Sequence, residues 1–275
     1  MNTATIKARK SVRTFSDQPV APETIAELER FIANDDNPFG VPITFRILDR
    51  EKYGLSSPVI LGAETYIGAK CKRQEHAELA FGYSFEKLVL FATTLGLGTV
   101  WLAGTLDRKA FEKAMDVAED EMMPAVAPIG YAAEKKSKRE TLMRKKMKSD
   151  ERVPFNELFF ADDFAHPLTE AHAGTLAAPL QMVRWAPSAT NKQPWRVVVD
   201  GNKVHFYEHK SKGYAREATG DIQKVDLGIA LCHFEIAAQE ADLAGTFAES
   251  DPGIEAPDRT EYVITYTTDG ALPLN

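Results

Sequence analysis

Apolar residues recur at helical or alternating spacing along most of the chain, and that spacing predicts an ordered series of elements. In Pro22–Ala33 the residues Ile25, Leu28, Phe31 and Ile32 fall at i, i+3 and i+4 intervals behind a proline start, which predicts an amphipathic helix. Asn34–Gly40 is turn chemistry, Ile43–Leu48 reads as a short strand, and Pro58–Leu61 is a second strand candidate. Gly82–Leu95 predicts a long helix that ends at the Gly96/Gly98 pair. Then follow a strand over Thr99–Leu102, a helix over Asp107–Val117 with Asp107 as its N-cap, and a buried strand over Ala125–Gly130.

The later part of the chain repeats much of this order. A helix over about Thr169–Trp185 leads through a Pro/Ser/Asn turn to a strand at Trp195–Val199. Asp200–Gly201 then makes a hairpin into Lys203–Tyr207. A long helix, Val225–Ala241, precedes a closing strand, Arg259–Thr267. Laying Gly82–Gly98 over Gly228–Ala244 aligns Phe85 with Leu231, Leu88 with Phe234, Leu90 with Ile236 and Ala92 with Ala238. Phe15-Ser-Asp likewise resembles Phe160-Ala-Asp. The ordered recurrence predicts an internal duplication, whereas any one amphipathic match could arise by chance.

Composition narrows the class. At 275 residues, with 44% hydrophobic and 27% charged positions, the chain can bury a large core. No apolar stretch approaches the ~20 residues a membrane helix needs, and Met1–Lys10 has no apolar signal core, so a cytoplasmic protein without membrane contact is expected. A net charge of −7 argues against a nucleic-acid partner. Cys71 and Cys232 have neither CxxC spacing nor histidine partners at metal spacing, so no disulfide framework and no metal site is expected. The basic run Lys135–Arg152 is either a solvated face or a source of side chains that reach a ligand phosphate. The six histidines are dispersed and read as surface or core residues.

Three segments carry candidate chemistry. In an extended Arg9-Lys10-Ser11-Val12-Arg13, alternate residues share a face, so two guanidinium forks flank a hydroxyl. That set suits a phosphate dianion, although a basic surface arm would read the same way. Ala186-Pro-Ser-Ala-Thr-Asn-Lys-Gln-Pro-Trp195 places small and amide-bearing residues in a turn that can approach a planar heterocycle, or else is a Pro-rich turn capped by a core tryptophan. In Gly96–Asp107 a strand runs into small residues before a helix N-cap, which leaves backbone N–H groups available to a ligand. No GxGxxG fingerprint is present, which disfavours a dinucleotide-binding fold.

Together SVRTFSDQPV, APSATNKQPWRVVV and LGLGTVWLAGTL resemble the signature regions of FMN-dependent nitroreductases, and GYSFEKLVL and RVPFNELFF extend the likeness over nearly the whole chain. The order departs from the usual pattern. The position after the first helix holds Asn37-Pro-Phe-Gly-Val-Pro42, and the intact Ser/Asn motif comes over a hundred residues later. This is similar to a subgroup in which one chain mimics the family's dimer.

The resemblance implies an α+β, nitroreductase-like fold, with mainly antiparallel central sheets flanked by helices. It implies two fused related halves, 1–148 with the phosphate and N5 side and 149–275 with the ring motif, forming a pseudo-dimer with one flavin site. Arg9, Ser11 and Arg13 would hold the FMN phosphate; Pro187, Ser188, Ala189 and Asn191 would contact the isoalloxazine. Ala103 and Gly104 would lie at flavin N5, with the Gly104 N–H toward it. Arg152 would reach the phosphate, although Asp150 and Glu151 stand where the family's motif tends to be basic. NAD(P)H would be the co-substrate and a small molecule such as a nitroaromatic or quinone the acceptor, with no protein acid, base or nucleophile required. Another reductive flavin reaction, such as dehalogenation, or flavin binding without turnover are the alternatives. Gly62–Ala80 is where a cover over the flavin is expected, and a monomer follows from the fused halves.

Overall fold

The computed structural model describes residues 1–135, 137, 140–142, 151–270 and 272. Most of the basic run Lys135–Arg152, and the expected 148/149 boundary, lie outside the described residues. The chain opens with α1 (Thr3–Ala8), whose N-cap Asn2 side chain accepts the Thr5 N–H, and α2 (Pro22–Ala33), with proline in the first turn where its missing N–H costs nothing.

A first sheet is antiparallel throughout. It contains β1 (Thr44–Asp49), β2 (Thr65–Lys72), β3 (Gly98–Thr99), β4 (Glu121–Met122) and β5 (Val126–Gly130), in the order β1-β2-β5-β3 with β4 beside β2. Between these strands run α3 (Arg50–Tyr53), α4 (Ala77–Thr94) and α5 (Arg108–Ala114), the last capped by the Asp107 side chain on the Ala110 N–H. After α6 (Phe155–Leu158), a second sheet has the order β11-β12-β8-β7-β6, where β6 is Phe159–Ala161, β7 Trp195–Asp200, β8 Lys203–His209, β11 Gly245–Ala248 and β12 Thr260–Thr268. Only the β6–β7 pairing within it is parallel. Two helices, α7 (Ala177–Trp185) and α8 (Ile222–Glu240), and a small ribbon of β9 (Ala215–Arg216) and β10 (Gly220–Asp221) complete the fold.

Helices α4 and α8 bury residues on all faces, as an apolar helix at the centre of a molecule must. They cross in backbone contact. A Cβ at Gly82 would stand 2.0 Å from the Val225 carbonyl oxygen, and one at Gly228 would stand 2.2 Å from that of Leu79. Glycine is required at both positions because no side chain fits between the two backbones. α1 reaches across this pair, with Ile6 in the core formed around β7, β8 and α8, and the Thr3 N–H donating to Glu240 at 2.7 Å.

Several sequence expectations need correction. Pro58–Leu61 is not a strand; only Leu61 makes an isolated bridge, to Thr14. The strand is β2, inside the segment expected to cover the ligand, and it pairs with both β1 and β5. Gly62–Ala80 thus supplies a central strand and the first turn of α4. The long helix starts at Ala77, five residues before Gly82. The run Thr169–Trp185 is helical only from Ala177, because two 3₁₀ turns precede it and Gly174 takes φ +52°. The expected strand Thr99–Leu102 keeps regular pairing only at Gly98–Thr99, with Leu102 bridging Val126.

Candidate functional site

A cavity of about 260 Å³ opens where the segment after α1, the segment after β3, the turn before β7 and helix α8 converge. The alternation of the Arg9–Arg13 segment is real. Val12 donates its N–H to Thr99 O at 2.9 Å and fits against Gly98, where a Cβ would sit 2.6 Å from Val12 Cγ2. Arg9, Ser11 and Arg13 all line the cavity. So do Ala103, Gly104, Arg152, Pro187, Ser188, Ala189 and Asn191, which brings all ten predicted site residues together across more than 180 positions of sequence.

Each wall is held by specific contacts. Arg9 Nε lies 3.6 Å from Glu86 Oε1, with the side chains 9% and 0% exposed. Trp101 Nε1 donates to Glu86 Oε2 at 2.8 Å, so a single buried carboxylate on α4 ties the Arg9 segment to the Trp101–Gly104 segment. His233 on α8 closes the network: its Nδ1 donates to Met182 O at 3.1 Å, and its Nε2 pairs with Glu86 Oε1 at 3.0 Å. Opposite, the main chain of the Ala186–Trp195 turn is wound tightly, with Thr190, Asn191 and Gln193 all at positive φ. Asparagine tolerates that region, but threonine, branched at Cβ, does not do so freely. Contacts over-determine the turn. Gln193 N–H donates to Ser188 Oγ at 2.9 Å, Asn191 Nδ2 donates to Glu151 O at 2.9 Å, and the Thr190 hydroxyl pairs with the Tyr214 hydroxyl.

Asp226 was not singled out from sequence. It lines the cavity from α8, is buried, and both its carboxyl oxygens lie 3.0 Å from the Ala189 N–H they accept. Burial pushes its carboxyl well above the usual range, with the Ala189 N–H opposing the shift. The signal was one acid inside an otherwise apolar helix face, Ile222-Val225-Asp226-Ile229. Glu86 and His233 escaped for the same reason, since their partners lie on other elements. No residue of Gly62–Ala80 lines the cavity; Val59, Thr105, Thr190 and Ile222 do.

The donor set fits a flavin nucleotide. The lining combines the guanidinium groups of Arg9, Arg13 and Arg152 and the Ser11 hydroxyl with apolar Val100, Leu102, Val225 and Ile229 and with small residues. Gly104 adds an independent sign: its φ is not positive and a Cβ there would meet nothing within 4 Å, so no contact inside the protein demands glycine. Among the described residues the only group of three or more metal-ligating side chains is Glu75, His76 and Glu249, and none of them lines this cavity.

The family model described as "Putative TM nitroreductase" matches residues 2–238, and the chain belongs to that family. The crystal structure of a "putative nitroreductase" from Thermotoga maritima MSB8 is 22% identical, covers 98% of this chain and 95% of its own, and superposes with a TM-score of 0.63, so the fold is nitroreductase-like. A nitroreductase family protein from Clostridium novyi NT, 17% identical, covers 49% of this chain and 86% of its own at a TM-score of 0.42. A nitroreductase with bound FMN from Bacteroides fragilis NCTC 9343, also 17% identical, covers 49% and 90% at 0.41. No curated protein matches the chain. Among the described residues, no helix is long and apolar enough to cross a membrane.

Proposed function

We propose that the chain holds one FMN in this cavity and uses it to pass hydride from NAD(P)H to an oxidised small molecule such as a nitroaromatic or a quinone. The observation that carries this reading is the convergence of Arg9, Ser11 and Arg13 with Gly104 and the Pro187–Asn191 turn around one space. Bound FMN supplies the redox chemistry, accepting and donating hydride at N5. The protein's part is placement. Arg9 and Arg13 neutralise a phosphate dianion with Ser11 as neutral donor, and Arg152 stands on the same cavity. Pro187, Ser188, Ala189 and Asn191 bound the ring, with Asp226 fixing the Ala189 peptide from behind. Ala103 and Gly104 offer backbone at the reacting edge. Val100, Leu102, Val225 and Ile229 give the cavity an apolar lining, and the proposed reaction needs no side-chain acid, base or nucleophile.

The two sheets, each with its long central helix, read as related halves fused into a pseudo-dimer. In the register that places Gly228 on Gly82, the cavity residues Ile222 and Ile229 correspond to His76 and Tyr83. Phe39, from the segment that replaces the Ser/Asn motif, packs on these two, with ring centroids 5.9 and 6.2 Å apart, and on Phe247 at 6.4 Å. In this reading Phe39 fills the counterpart of the flavin cavity, so that one FMN binds per chain, and the fused halves cover the surface that separate subunits would bury, which makes the protein a monomer.

Titrating FMN into the purified protein, followed by its absorbance bands, tests the reading. Uptake should saturate at one equivalent. Arg13→Ala should weaken it by about 30-fold or more, because removing one partner of a buried charge pair costs ~2–5 kcal/mol. A colourless protein that takes up no FMN, or one that binds two, would overturn it; nicotinamide oxidation by the loaded protein then tests turnover.

A further inference from the structure

We infer that Arg108, which does not line the cavity, is the positioning residue that aims the Gly104 N–H; the inference rests on the flavin reading above. Arg108 opens α5, immediately after its N-cap Asp107. Its Nη2 donates to the Ala103 carbonyl at 2.7 Å and its Nη1 to the Met123 carbonyl at 2.8 Å. Glu112, one turn along the same helix, lies 3.5 Å from Nη1 and gives that nitrogen a second, charged partner. The fork is thus fixed at three points, two of them backbone oxygens.

The consequence comes from peptide geometry. The Ala103 carbonyl and the Gly104 N–H belong to one planar unit, and there are no cis peptide bonds among the described residues, so the two groups point in opposite directions. Anchoring the carbonyl on Arg108 turns the N–H away from α5. Among the described residues that N–H meets no acceptor, and Ala103, Gly104 and Thr105 all line the cavity. A donor without a protein partner, aimed by a charged clamp, is preorganised for a ligand acceptor. The cation also draws electron density from the Ala103 oxygen, which makes the N–H of the same amide a stronger donor. Neither Ala103 nor Gly104 has a β-substituent beyond a methyl, so no side chain holds this peptide against rotation, and the clamp must do so. Partial burial lowers the pKa of the Arg108 guanidinium from its ordinary value, opposed by Glu112.

Selective labelling with [¹⁵N]glycine reads the peptide directly, because only 17 amides contribute. In the wild type, added FMN should move the Gly104 resonance downfield as its N–H finds an acceptor. In Arg108→Ala the Gly104 signal should be displaced or broadened before FMN is added, and its FMN-induced shift should fall by at least half. The FMN dissociation constant should change less than threefold, since the phosphate and ring contacts are untouched. Reduction of the loaded protein by NADH should slow by tenfold or more with KM for NADH unchanged, and Arg108→Lys, which keeps one cationic donor, should recover part of both readouts. An Arg108→Ala protein that binds FMN with a wild-type Gly104 shift would overturn the inference while leaving the flavin reading standing. Wild-type protein in which FMN moves no glycine resonance would overturn the flavin reading, and this inference with it. Should Arg108→Ala not fold, Arg108→Lys and Arg108→Gln carry the same comparison, and equal Gly104 shifts in both would count against the clamp.

Discussion

Gly82→Ala tests the central packing of the molecule, because its sign alone is informative. On an exposed helix the change is favourable by ~1 kcal/mol, since alanine loses less backbone entropy. Here the new methyl would be built 2.0 Å from the Val225 oxygen, 2.9 Å from its carbonyl carbon and 3.1 Å from Gly228 Cα. Ordinary non-bonded separations are ~3.5 Å, so α4 and α8 must part by roughly 1 Å or more. All three obstacles are backbone, and no rotamer change relieves them. Overpacking of this kind costs ~1–3 kcal/mol, and with backbone on both sides the upper end applies, leaving a net loss of about 2 kcal/mol after the propensity gain. The displacement also carries Val225 and Asp226, which line the cavity, so FMN affinity should fall in the same variant. Urea unfolding followed by circular dichroism measures the first effect and FMN titration the second. A variant as stable as the wild type, or more so, would show that the helices do not meet through backbone at this point.

Glu86→Gln should cost about 3 kcal/mol in urea unfolding, because it removes the charge that Arg9 and His233 face in the interior, and it should weaken FMN binding through Arg9; unchanged stability would refute the network. Glu208 governs a pH dependence. It is buried, opposite Trp195 and Glu261 in the second sheet, with neither carboxyl oxygen hydrogen-bonded among the described residues, and burial, helped by Asp221, pushes it from 4.5 up to about 8. The folded chain keeps this proton while the unfolded chain loses it, so Glu208 lowers stability progressively from pH 4.5 to about 8 and fully above that. Glu208→Gln should therefore gain about 1–3 kcal/mol over wild type at pH 8.5 and little at pH 5, and an equal gain at both would refute the assignment. Phe39→Ala should lose about 2 kcal/mol, measured by thermal unfolding, with FMN uptake at the cavity unchanged, since Phe39 packs on His76, Tyr83 and Phe247 and does not line the cavity; a variant as stable as wild type would mean that the aromatic side chain is not holding that space.

Elements whose period is set by one buried face were legible from sequence. α2 spans the predicted Pro22–Ala33, and the Asp200–Gly201 hairpin joins β7 to β8 as expected. Where tertiary contact overrides local pattern, the reading failed. Gly82 looked like a helix boundary because its reason for being glycine lies on another helix. β2 was missed because Gly68 and the lysines at 70 and 72 weaken its alternation, yet Gly68 is small to admit the Met115 sulfur, 2.4 Å from where a Cβ would be. Val59 and Ile60 suggested a strand but pack instead against the core around Leu55 and Phe111. In the candidate site, ten of the residues that line the cavity were legible because the three motifs resemble the family's signature regions; the residue types alone left a surface arm or a plain turn as alternative readings. Asp226, Glu86 and Arg108 were not, since each acts on a main-chain or side-chain group distant in sequence or hidden behind the cavity wall.

In the register that pairs Gly82 with Gly228, Glu86 falls on Cys232 and Lys87 on His233. If the halves are related as proposed, the carboxylate that joins α4 to His233 has a buried thiol as its counterpart. Lys87, the mate of the histidine, turns outward to Asp36. A homodimer cannot hold such a contact on one side alone, because each residue it encodes is written into both copies and must suit both. In one continuous chain a substitution is felt once. In the proposed pseudo-dimer the side that holds Phe39 is ordinary packing, while the other keeps the Glu86–His233 contact that a symmetric pair would carry twice.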